Sequence, residues 1–79
     1  MNMLISGKHD GIGNQAMAVE GCKLLLDKFG KNLYTDSELI QEFLRCNPDT
    51  EEKYDYILVL GFQVPAIFKA WRRSKKDVI

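Results

Sequence analysis

Seventy-nine residues, 46% hydrophobic and 28% charged, with eleven cations against eleven acids, fit one globular domain and exclude intrinsic disorder, a second domain and a nonspecific polyanion binder. Cys22 and Cys46 stand outside any CxxC pair, which excludes a disulfide framework and predicts reduced thiols in a cytoplasmic protein. No apolar run approaches the roughly 18 residues that span a bilayer, and MNMLISGKHDG lacks the parts of a signal peptide, so no membrane partner is expected.

The charges are unevenly placed. Residues 36–60 hold seven acids against Arg45 and Lys53, whereas 61–79 hold five cations against Asp77. Such asymmetry marks a nucleic-acid face or lets one helix pair with another.

In chain order, 1–13 reads as an N-terminal segment with a short strand at Met3–Ser6 and a loop, GKHDGIG, whose three glycines and Asp10 favour turns. Residues 14–46 read as two supporting helices. In the first, Ala18, Cys22, Leu25, Leu26 and Phe29 recur at helical spacing between an Asn14 cap and Gly30. The second opens on the capping box Thr35-Asp-Ser-Glu38, carries the stripe Leu39, Ile40, Phe43, Leu44, and stops near Cys46 because Asn47 precedes a proline. Asn47-Pro48 followed by Asp49, Glu51 and Glu52 is in turn a helix start, with acids at the positive end of the helix dipole.

That start predicts a helix to Leu60, a turn over Gly61–Val64 and a second helix from Pro65 to Lys76, making 48–76 a helix-turn-helix inside a single all-α domain of three to four helices. The competing reading takes Tyr54–Leu60, rich in aromatic and β-branched residues, as a buried strand. Paired with Met3–Ser6, it gives a small α/β domain with a two-stranded sheet.

As a helix-turn-helix, the segment resembles the DNA-reading unit of Cro-type phage repressors, on Leu60-Gly61, four residues, then Ala66-Ile67, Lys69-Ala70 and Trp71. The resemblance implies that Gly61 ends the first helix, that Ile67 and Trp71 lock the second against it, and that 65–76 is the recognition helix. Gln63 and Lys69 would then read bases, and Arg72, Arg73, Lys75 and Lys76 would contact phosphates. The function so implied is a cytoplasmic transcriptional regulator of phage type, bound to double-stranded DNA as a homodimer. The acids that start the first helix oppose DNA. An alternative function is a small protein-interaction module, an inhibitor or adaptor that binds a protein partner through its acidic middle or basic end.

Other chemistry finds little footing. GKHDGIG matches neither GxxxxGK[ST] nor GxGxxG, His9 has no nucleophile spaced to join it, and one His with two distant Cys lacks zinc spacing. Neither an enzyme nor a cofactor is expected.

Overall fold

Side-chain alternation in Met3–Ser6 (β1) sets the architecture: Met3 and Ile5 pack in one apolar cluster and Leu4 in another, as the period of two in a strand requires. The computed structural model describes every residue but Glu52, and the backbone alone at Asp77 and Val78. After β1 come α1 (Ile12–Phe29), a 3-10 turn (Gly30–Asn32), β2 (Leu33–Thr35), α2 (Glu38–Leu44), β3 (Asn47–Pro48), β4 (Tyr54–Val59), α3 (Val64–Arg73) and β5 (Ser74–Val78). The five strands form one sheet in the order β3-β2-β1-β4-β5, and every pairing is parallel. In register, Leu4 of the central strand lies between Tyr34 and Ile57.

One core holds Met3, Ile5, Leu33, Ile40 and Leu44 against α1 residues Val19 and Cys22, joined by Ala18, Leu25, Leu26 and Phe29. The other holds Leu4, Ile57 and Val59 against Ala66, Ile67 and Ala70 of α3. Helices α1 and α2 thus cover one face and α3 the other, the two-sided burial that parallel sheets need. Among the described residues of the return from β3 to β4, 49–51 and 53, none is helical.

The all-α expectation is overturned. Tyr54–Val59 is a strand, so Leu60-Gly61 ends a strand, and the helix-turn-helix over 48–76 is absent. The physical reason is burial on both faces: Ile57 and Val59 meet α3 while Tyr56 and Leu58 meet the α1 side, and a strand buried twice reads as a continuous apolar run without a helical stripe. The α/β alternative holds, with five strands in place of two. Asn47-Pro48 caps no helix but forms an edge strand beside Tyr34 and Thr35, where a proline's missing N–H costs no ladder bond; Glu52, expected in that helix's first turn, lies outside the described residues.

Two smaller corrections concern caps. Thr35 belongs to β2, its hydroxyl donating to Ile5 O at 2.8 Å; Ser37 caps α2 instead, accepting from Ile40 N at 3.2 Å. The first helix begins at Ile12, with Gly11 as its N-cap, and closes on Gly30 at φ 54°. Helix α3 ends at Arg73 and not Lys76, because Ser74–Val78 pairs with β4.

Candidate ligand cleft at the strand-order reversal

The connection from β1 leads outward to β2, whereas β4 and β5 lie on the other side of β1. At this reversal the chain leaves β1 and β4 for helices on opposite faces of the sheet, and open parallel sheets bind their ligands in a crevice at the carboxyl ends of such strands. Here the crevice is a cleft of about 440 Å³ between α3 and the sheet. Leu4, Ile57, Ala66 and Ala70 give it an apolar floor, and Lys8, His9, Gln63, Lys69 and Arg72 add polar groups.

The two loops hold each other. Leu60 O accepts from His9 Nε2 at 2.6 Å; a carbonyl only accepts, so Nε2 carries the proton. Gln63 Nε2 returns a bond to His9 O at 3.3 Å, and Leu60 N donates to Ser6 O at 2.9 Å. Gly61 sits at φ 73°, where an added Cβ would stand 3.1 Å from Asp10 Oδ2. That left-handed backbone and crowded approach favour glycine.

Carboxylates already occupy the loop's backbone donors. Asp36, which follows β2, accepts from Gly7 N at 2.8 Å, Lys8 N at 3.0 Å and the Ser6 hydroxyl at 3.2 Å. Asp10 accepts from Gly11 N at 3.0 Å and from Asn14 Nδ2 at 3.1 Å. A phosphate at Gly7–Gly11 would displace these bonds and meet their charge, so the cations of the cleft offer the better anion seat.

Asp49 and Arg73 also line the cleft and form its most connected polar network. Arg73 donates from Nη1 to Asp49 Oδ2 at 2.9 Å and from Nη2 to Asp49 Oδ1 and Glu51 O, both at 2.7 Å. Buried Tyr54 donates to Asp49 Oδ1 at 2.6 Å and accepts from Glu51 N at 3.1 Å, while the guanidinium lies 5.4 Å from its ring centroid. The Arg73 hydrogen bonds hold the Asp49 carboxyl below its ordinary range, and the same bonds raise Arg73. Burial, then the Asp49 bond, pushes the Tyr54 hydroxyl up. Here the strap from β3 to β4 is tied to the end of α3.

Of the residues predicted to contact DNA, Gln63, Lys69, Arg72 and Arg73 line this cleft. Lys75 and Lys76 belong instead to β5, with Lys76 Nζ 5.7 Å from the Tyr56 ring centroid. Arg73 is tied into the Asp49 network, and Trp71, predicted to lock two helices, is 70% exposed. The chain pattern did not reveal Lys8, Asp36 or Asp49 as cleft residues. A turn-rich loop following a candidate strand was the available signal, and it was readable only once 54–59 was taken as the second strand.

Among the described residues no group of three or more His, Cys, Asp or Glu could hold a metal ion, and no helix is long and apolar enough to cross a membrane. The fold and cleft define an α/β domain with a switch-point crevice. No family model, curated protein or solved structure matches the chain.

Proposed function

We propose that the chain is a ligand-binding α/β domain whose cleft takes a small molecule bearing a phosphate. One observation carries the reading: at the strand-order reversal, Lys8, Lys69 and Arg72 share a cleft and make no ion pair among the described residues. The α3 N-terminus adds to it. Gln63 caps it with no side-chain hydrogen bond, its first turn has no acid, and its Pro65 and Ala66 line the cleft, so the positive end of the helix dipole favours an anion there. Free buried thiols at Cys22 and Cys46, both raised by burial, fit a reducing cytoplasm.

Nitrogen-15 NMR titration with inorganic phosphate and pyrophosphate tests the reading. Shifts should centre on Lys8, Ala66 and Lys69, and a Lys69→Glu, Arg72→Glu variant, altered at two exposed positions, should bind at least about tenfold more weakly with its fold intact. Absence of any shift at about 10 mM ligand rules the reading out. A duplex DNA arm tests the regulator reading, which now lacks a helix-turn-helix frame and rests on the same cations.

A second reading, protein interaction, is favoured by Phe62, Phe68 and Trp71, which are 85%, 52% and 70% exposed; exposed apolar patches often mark interfaces. Sedimentation of the wild type across micromolar concentrations should show a dimer that Trp71→Ser dissolves. A monomer throughout removes the homodimer form of this reading.

A further inference from the structure

We propose that the phosphate compound is a phosphorylated sugar, whose hydroxyls are held by Asp36 while its phosphate meets Lys8, Lys69 and Arg72. This rests on the cleft reading above and goes beyond it. The cleft has two carboxylates of different standing. Asp49 is neutralised by Arg73 and hydrogen-bonded through both oxygens. Asp36 makes no ion pair within 4 Å among the described residues, although its charge is felt at Arg73.

The two oxygens of Asp36 are unequally engaged. Oδ1 accepts the backbone N–H groups of Gly7 and Lys8, whereas Oδ2 accepts a single bond, from the Ser6 hydroxyl at 3.2 Å. A carboxylate has about four acceptor sites, so Oδ2 retains room for a hydroxyl donor. For bare phosphate such a carboxylate is only repulsive. For a ligand that carries hydroxyls next to its phosphate, it gives a second, charge-assisted contact. Lys69 and Arg72 come from α3 and Asp36 from the loop after β2, so the two parts of the ligand are gripped by different elements. About 440 Å³ exceeds what a lone phosphate fills and lies in the usual range for small-molecule sites.

Titration calorimetry on the wild-type protein compares ribose 5-phosphate, propyl phosphate, phosphoethanolamine and AMP. Ribose 5-phosphate should bind at least about tenfold more tightly than propyl phosphate, the gain of one good charge-assisted bond, and Asp36→Asn should reduce that preference. Asp36 also holds the Gly7 and Lys8 amides, so the comparison of ligands on the wild type stands whether or not the variant folds. AMP binding tighter than ribose 5-phosphate assigns the sugar phosphate to a nucleotide; equal or weaker binding assigns it to a free sugar phosphate, and both support the proposal. Equal affinity for ribose 5-phosphate and propyl phosphate overturns the hydroxyl contact and leaves the phosphate cleft standing. Tighter binding of phosphoethanolamine also overturns it, since Asp36 would then take an amine. If no phosphate compound binds, both readings fall.

Discussion

Ile5→Ala is expected to lower the unfolding free energy by about 3–4 kcal/mol, measured by urea denaturation. Ile5 has no exposed surface and lies in the central strand, paired to Thr35 on one side and Leu58 on the other. Its side chain packs with Val19, Cys22, Leu33 and Ile40, so truncation removes apolar contact and leaves a cavity that a strand fixed on both edges closes poorly. A domain of this size has roughly 4–12 kcal/mol in total, and the variant should be partly unfolded at physiological temperature. Ile12→Ala, at a 73% exposed position, should change stability by no more than about 0.5 kcal/mol. Equal effects of the two substitutions would contradict the sheet order.

Arg73→Ala should cost about 2–3 kcal/mol at neutral pH. It removes both bonds to Asp49 and the bond to Glu51 O, and it leaves a carboxylate whose side chain is 19% exposed with its compensating charge gone. The difference from wild type has a pH signature. Because the native Asp49 carboxyl is held below its ordinary value, its pairing stabilises the fold fully above the unfolded carboxyl pKa of about 3.9, and that contribution fades as pH falls through the lower native value. The gap between wild type and variant should therefore stay constant from pH 8 to about 5 and narrow below about 4. A gap that widens in acid would show that Asp49 is not the group Arg73 stabilises.

Two local signals were read well, although the caps expected at Asn14 and Thr35 were not found. Gly30 closes α1 in a left-handed conformation, and the helix predicted from Pro65 starts at Val64. Legibility failed where the deciding information is a partner distant in sequence. Asn47-Pro48 with its acids satisfies every local rule for a helix start, yet Asp49 serves elsewhere, binding Arg73 and Tyr54. Strand β2 has three residues and β3 two, too few for a period to show. The cleft was half visible for the same reason. Lys69 and Arg72 stood out as cations on a helix, whereas Asp36 looked like part of a capping box, and its place beside Gly7 and Lys8 arises only when β1 and β2 pair.

The first strand in chain order, β1, is the middle strand of the sheet. Met3 lies between Leu33 and Tyr56, and all pairings among the described residues are parallel, so each needs a long connection to close before any ladder bond rewards it. The chain is therefore expected to fold slowly for its length, on the order of milliseconds. Loss of residues 1–6 would leave β2–β3 and β4–β5 as two strand pairs with no seam between them.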